Sequence, residues 1–411
     1  MAAGNTTVSA MAQVLKTRYP QKELKRLMYV DSPLMGLMGT DKEFLGNNTR
    51  LTVRYGRPQG RSALFPTAQA NRSTSNDAGF LLTRAKDYAV GAVDAEAILS
   101  GRGNEGSIIN VLDQEMKGTV MSFKRSIMFQ LYGNGSGARG QISAGSVVST
   151  NTITLATPDD VVFFEVDQWV VVSATNTTAS AARSGRVQIT SVNRDTGAIT
   201  VSGAWNAGIA AVAANDYLFT EGDIGIVARG LQAWLPATAP VGGDNFFGVD
   251  RSADAVRLAG NRYTAPGGEA KADSIINTIA RGIRENAAFD TCFIHPADRS
   301  DIFRALQSKG IYNMIPSSSK DVQVSYSGVV FEGGLKNVNV IADPNCPRNR
   351  AFLLQMDTWK IYSIDEVPHY IKEDGVEMLR QASADAFEFR LRAFWQVGCD
   401  APGFNAAITF G

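Results

Sequence analysis

The 411-residue chain is poor in the side chains that most often carry chemistry. It holds two histidines: His295 at a strand end before Pro296, and His369 after Pro368 in a loop. Both positions read as packing or surface residues rather than as a general base. Its three cysteines, Cys292, Cys346 and Cys399, are odd in number and lack CxxC or zinc-ligand spacing, so no disulfide framework is legible and a reducing cytoplasm is expected. Nowhere do about 18 apolar residues run together, and Met1 to Ala12 is small and polar, so neither a membrane span nor a signal peptide is expected. Net charge is missing as well: 40 Lys and Arg balance 40 Asp and Glu. That balance excludes a polycation built to coat nucleic acid and leaves DNA contact to local patches. The glycine-rich loop contains no GK[ST], which excludes a P-loop, and the acids of "EFLG", "IDEVP" and "IKEDGVE" are scattered as on a solvated face.

The length and an apolar share of 44% imply two or three domains with cores of their own. The first thirty residues set Lys16, Arg18, Lys22, Lys25 and Arg26 against Glu23 alone, in a weakly helical arm that ends at "VDSPLMGLMG", where Pro33 and Gly36 break it. "TRLTVRYGRP" (Thr49 to Pro58) alternates Leu51, Val53 and Tyr55 with polar neighbours, and "GFLLTRAKDYAVGAV" (Gly79 to Val93) is a second extended run. The two predict a long hairpin with a polar tip, which is marginal alone in water and must rest on its own domain or on a neighbouring subunit.

Ser107 to Tyr132 is the strongest helix: Ile108, Leu112, Met116, Val120, Phe123, Ile127 and Leu131 recur at three- and four-residue steps, with Asp113, Lys117, Lys124 and Arg125 among the polar positions. Ser107 is the expected N-cap and Gly133 the C-terminal stop. The lysine-free stretch from Gln141 to Asp223 is rich in Thr, Val, Ser and Ala and shows short strands such as "NTITLA", "QWVVVSA" and "RVQITSV". It predicts a separate small β-barrel or sandwich inserted into the chain. Beyond it lie an amphipathic helix through Ile275, Ile276, Ile279 and Ile283, the buried strand "DTCFIH", the helix "PADRSDIFRALQSKG", and the strands "NVNVIAD", "RAFLLQM", "WKIYSI" and "DAFEFRLRAFWQVG".

Gly135 to Gly140 reads G-x-G-x-x-G. A dinucleotide site needs that run between a strand and a helix N-terminus, whose free N–H groups face the pyrophosphate. Here the run follows a helix C-terminus and leads into a β segment, so it reads as a structural joint through Gly133, Gly135, Gly137 and Gly140. A dinucleotide-binding enzyme remains the alternative on the motif alone.

The order of parts resembles the major capsid proteins of tailed bacteriophages, with the HK97 (Hong Kong 97) fold. "FQLYGNGSGARGQI" is similar to that family's spine-helix end, "CFIHPADRSDIFRALQSKGIYN" to its strand, "HP" step and helix, "VNVIADPNCPRNRAFLLQMDTWKIYSID" to its extended strands, and "FEFRLRAFWQVGCDAPGFNAAI" to its closing strand. The resemblance implies an α+β fold with an arm over 1–48, an extended hairpin loop (E-loop) over 49–95, and a peripheral domain with the spine helix over 96–140. An inserted β domain over 141–223, an axial domain over 224–345 and a return to the peripheral domain over 346–411 complete it. The inserted domain departs from the minimal pattern.

The implied function is a non-enzymatic shell protein whose hexamers and pentamers enclose double-stranded DNA. Scaffolding, portal and cement or decoration proteins are its implied partners, with no membrane, no metal and no cofactor, and with assembly in the host bacterial cytoplasm. An encapsulin-type shell of the same fold is the alternative. Met1 to Phe44 and Arg50 to Asp87 are the expected inter-subunit elements, with Arg50, Arg57, Arg61, Arg72 and Arg84 as contact residues, and Lys16, Lys22, Lys25 and Arg26 as DNA-facing charge. Some relatives lock their shells by a lysine to asparagine isopeptide bond from the hairpin; Pro58 to Gly79 contains no lysine, so no such cross-link is expected.

Overall fold

The computed structural model describes residues 32–95, 105–308, 329–333, 335–371, 375, 378–381 and 384–411. The fold is α+β. Asn48–Gly56 and Asn76–Thr83 form an antiparallel hairpin in register from Asn48↔Thr83 to Gly56↔Asn76. Its alternation does the anchoring: Leu51, Val53, Phe80 and Leu82 are buried while their strand neighbours face out. Phe80 meets Trp234 edge-on at 5.1 Å and Phe246 at 6.1 Å, and the Trp234 indole N–H donates to the Val397 carbonyl at 3.0 Å. Aromatic pairs of this kind add about 0.5–1.5 kcal/mol each beyond their buried area. The hairpin base is thereby held to the main core while its far end extends beyond.

The run over Gly79 to Val93 is not one strand. Inward positions fall on even numbers through Phe80 and Leu82, then on odd numbers from Ala85 through Gly91 and Val93. A one-residue slip turns every side chain to the other face of a sheet, so the chain must change sheets there. It does so at Arg84, whose guanidinium lies 5.5 Å from the Phe44 ring centroid. Ala85–Asp94 then pairs antiparallel with the 14-residue strand Ala386–Cys399, from Ala85↔Trp395 to Asp94↔Ala386. Pro33, expected to break structure, instead starts a one-turn helix, Pro33–Leu37, in which the Ser32 hydroxyl accepts from Met35 N–H at 3.4 Å.

The long helix runs Glu105–Tyr132, 28 residues or about 42 Å. Ser107 lies inside it and so does not serve as N-cap. Met116, Val120, Phe123, Ile127 and Leu131 are buried, as their spacing requires. Lys124, placed among the polar positions by sequence, is also buried, and burial lowers its ammonium pKa to about 8.

Ala138–Gln141, Tyr217–Thr220, Trp169–Ser173, Val187–Asn193, Ala198–Val201 and Thr152–Thr154 follow one another in a single antiparallel sheet. An antiparallel bridge between Ile142 and Leu155 joins its two ends, so the sheet closes into a small barrel. Ile142, Ile153, Val170, Ile189, Ile199, Trp205 and Leu218 fill it as a core separate from the rest of the molecule.

A second six-stranded sheet is ordered Asn261–Thr264, Ala406–Thr409, Arg350–Leu354, Thr291–Ile294, Asn337–Ala342, Val329–Glu332. The helices Lys271–Arg284 and Pro296–Ser308 pack beside each other, the first of them on this sheet. Phe293 and Phe352 point the other way, into the core that holds the end of the long helix, where Tyr132 and Phe352 lie 6.1 Å apart. Two expectations change here. Ile275 and Ile279 are buried but Ile276 and Ile283 are exposed, because at 100° per residue both sit roughly a quarter-turn round from Ile275. The C-terminal part does not return as one unit either: 350–354 and 406–409 join this sheet, while Trp359–Ser363 and Ala386–Cys399 join the other.

Candidate functional site: the hairpin and the helix-end joint

Beyond Gly56 the hairpin carries a tip over 57–75. Reciprocal hydrogen bonds close it, from Gln59 N–H to the Ser73 hydroxyl and from Ser73 N–H to the Gln59 carbonyl, each 2.8 Å. A short helix, Phe65–Ala70, caps it and buries none of its residues. Leu64 and Phe65 are 67% and 78% exposed and adjacent, so they form a small apolar patch at the tip. Arg50, Arg57, Arg61 and Arg72 are exposed along the hairpin, whereas Arg84 is half-buried at its base. Sequence reasoning missed Arg54, which donates twice to Asp77, its partner directly across the hairpin, at 2.8 and 3.2 Å; the ion pair lowers the Asp77 carboxyl pKa. Lys16, Lys22, Lys25 and Arg26 lie outside the described residues.

At the other end of the long helix, Gly133 N–H donates to the Gln130 carbonyl at 3.0 Å and the helix stops. Asn134 turns its side-chain carbonyl onto Ser136 N–H (3.0 Å) and hydroxyl (2.7 Å), an Asx turn that reverses the chain. Gly135 and Gly137 have φ of +84° and +89°. A Cβ on Gly135 would sit 2.7 Å from Arg229 Cγ, and one on Gly137 2.8 Å from the Asp223 carbonyl. Both need glycine for backbone conformation and for space. Gly140 needs only the space, beside Phe164 and Leu155. The run then becomes the barrel strand Ala138–Gln141, so its N–H groups follow the negative end of a helix. The returning chain crosses at Gly230, where a Cβ would lie 2.2 Å from the Gln130 carbonyl; nothing in the local pattern around Gly230 marks it.

Polar contacts fix the barrel at this root. Arg348 donates to Asp159 at 2.8 Å and lies 3.4 Å from Asp298, Arg125 donates to Glu165 at 2.5 Å, and Arg139 donates to Asp223 at 3.1 Å. The Phe129 and Phe163 rings are 5.0 Å apart. On the strand Ala85–Asp94, Asp87 accepts from Ser126 (2.8 Å) and Gln130 (2.7 Å) of the long helix, and burial pushes its carboxyl up to about 6. Gln130 in turn accepts from Ala228 N–H at 3.1 Å on the returning chain. A cavity of about 210 Å³ remains, walled among others by Asp160, His295, Arg348 and Arg139.

No family model matches the sequence and no curated protein matches it. Solved structures do. The capsid asymmetric unit of cyanophage A-1(L) aligns over 92% of this chain and 93% of that one, with 15% identity and a TM-score of 0.48. The chain is similar in structure to phage capsids. The capsid of a native GTA particle aligns over 92% and 89%, with 7% identity and a TM-score of 0.44. A virus-like particle from Pyrococcus furiosus aligns over 94% and 95%, with 6% identity and a TM-score of 0.39. Within this chain, hairpin, long helix, inserted barrel and α/β layer follow one another in the order that the HK97-like resemblance implies.

The residues that could have served catalysis occupy structural positions. Cys292, Cys346 and Cys399 are buried, and burial pushes the thiols of Cys292 and Cys399 up to about 12, far from a reactive thiolate. His295 Nδ1 accepts from Ala297 N–H at 3.2 Å at the start of a helix, and His369 lies 3.4 Å from Asp365. Among the described residues no helix is long and apolar enough to cross a membrane.

Proposed function

We propose that this chain is a major capsid protein. Copies assemble into hexamers and pentamers of an icosahedral shell that encloses double-stranded phage DNA, with scaffolding, portal and cement or decoration proteins as partners, inside the host bacterial cytoplasm. One observation carries the reading: the hairpin ends in a closed tip whose largest apolar side chains, Leu64 and Phe65, stay mostly exposed among the described residues. A neighbouring molecule seated on such a tip would supply that burial.

In this reading Arg50, Arg57, Arg61 and Arg72 face the neighbouring subunit, and Arg84 fixes the angle at which the hairpin leaves the body. Asn48–Thr83 holds five arginines and one aspartate, so the surface that receives it should be acidic. Gly133, Gly135, Gly137 and Gly140 form the joint into the barrel, and Lys16, Lys22, Lys25 and Arg26 supply modest charge toward DNA. Negative-stain electron microscopy of the purified chain, alone and co-expressed with its scaffold, should show shells, tubes or capsomers. A monomer that never assembles and is thermally stabilised by a dinucleotide would overturn the reading. Nucleic acid rather than an enzyme cargo inside the shell distinguishes a phage capsid from an encapsulin-type compartment.

A further inference from the structure

The turn Pro158–Phe163 is one part of the barrel that meets the rest of the subunit. Val161 is buried in the barrel core, Phe163 stacks toward Phe129, the Val162 carbonyl accepts from Arg125 at 3.1 Å, and Asp159 takes Arg348 at 2.8 Å. Asp160 sits in the middle of this turn, half-buried, on the wall of the 210 Å³ cavity. Among the described residues nothing donates a hydrogen bond to its carboxylate.

The arginines nearby each pair with another carboxylate, although the buried Nε atoms of Arg139 and Arg348 lack a hydrogen-bond partner among the described residues. Arg348 serves Asp159 and Asp298, Arg139 serves Asp223, and Arg125 serves Glu165. His295, which also lines the cavity, uses Nδ1 as an acceptor, and burial keeps its imidazole neutral to lower pH than usual despite Asp298 and Asp159, with Arg348 and Lys271 acting in the same direction as burial. An ionised Asp160 therefore faces the Asp159 charge in a poorly solvated gap with no cation of its own.

We propose that the barrel root is a proton-sensitive joint: a proton on Asp160 lets the turn Pro158–Phe163 seat against the end of the long helix, and loss of that proton loosens the turn. Burial and the neighbouring Asp159 push this carboxyl up to about 7, against an ordinary value near 4, which places the transition at neutral pH. If the loosened turn returns Asp160 to water and to its ordinary pKa, the population of the open form rises about tenfold per pH unit between the two values and levels off above 7. The mechanism does not depend on what the shell encloses, or on whether a shell forms.

Hydrogen-exchange mass spectrometry on the full-length chain from pH 5.5 to 8.5, corrected for intrinsic exchange, tests this. Relative to the barrel strand Trp169–Ser173, the amides of Asp159 to Phe163 should lose on the order of tenfold or more protection between pH 5.5 and 7 and little beyond. Asp160→Asn should abolish the slope, while His295→Gln should retain it. A flat wild-type profile, a slope that persists in Asp160→Asn, or one that vanishes in His295→Gln each overturns the proposal. The wild-type and His295→Gln arms decide the matter even if Asp160→Asn proves insoluble.

Discussion

Replacing Leu64 and Phe65 together by serine should separate assembly from folding. Their exposures of 67% and 78% mean that the subunit draws little from either side chain, so its melting temperature should stay within about 2 °C of wild type. Full burial of a leucine or phenylalanine is worth about 1.5–3 kcal/mol, and roughly two-thirds to three-quarters of that is still unrealised at the tip. A neighbour that covers both would gain about 2–4 kcal/mol per contact, which the double variant forfeits. At 1.4 kcal/mol per tenfold, each hairpin contact weakens by about thirty- to a thousand-fold. Light scattering against subunit concentration, with the scaffold present, should show the assembly threshold rise steeply, and micrographs should show free capsomers or subunits. Unchanged assembly would refute the role given to the tip; a lowered melting temperature would show that the two residues support the subunit itself.

Other outcomes follow from the packing of the subunit. Gly135→Val should impair folding or assembly, since valine cannot take φ of +84° cheaply and its Cβ meets Arg229, a cost of about 2 kcal/mol or more read as reduced soluble yield and lower thermal midpoint. Ile199→Ala in the barrel core should cost about 2–5 kcal/mol and, because that core is separate, unfold the barrel in a transition of its own, visible by calorimetry before the main one. Asp87 binds its proton more tightly folded than unfolded, so its contribution is most favourable below about pH 4 and declines as pH rises toward 6, by up to about 3 kcal/mol. Urea melts at pH 4.5 and 7 should show about 2 kcal/mol of that loss in wild type and a smaller one in Asp87→Asn. Purified shells should run as monomers on denaturing gels, because no lysine is available in the tip; a covalent ladder would contradict this.

Where side chains repeat with a period and bury locally, the sequence was readable. Met116 to Leu131 declared the long helix, and the Thr- and Val-rich run after Gln141 declared a unit with its own core. The sheet switch at Arg84 was also written in the sequence, as a change of phase from even to odd apolar positions, yet alternating runs on either side masked it. What local pattern could not reveal were pairings between distant segments. The parallel pairing of Asn261–Thr264 with Ala406–Thr409 joins strands over a hundred residues apart, and Ala-Ala-Ile-Thr carries no mark of its partner. Gly230 is required by the carbonyls of Gln130 and Leu131, which approach it from another part of the chain. Of the hairpin contacts, the exposed arginines could be named in advance, but the exposure of Leu64 and Phe65 depends on tertiary packing that local pattern does not carry.

The chain's departure into the barrel and its return lie side by side: Gly230 N–H donates to the Gly133 carbonyl at 3.1 Å, and Leu218 pairs with Gly140 in adjacent strands. The polypeptide on either side of the barrel would therefore follow the same course if the barrel were excised and the two ends bridged by a few residues, or if a different domain with adjacent termini were spliced in its place. Position 133 to 230 is thus a natural splice point, at which foreign modules could be carried on every copy without rerouting the rest of the subunit.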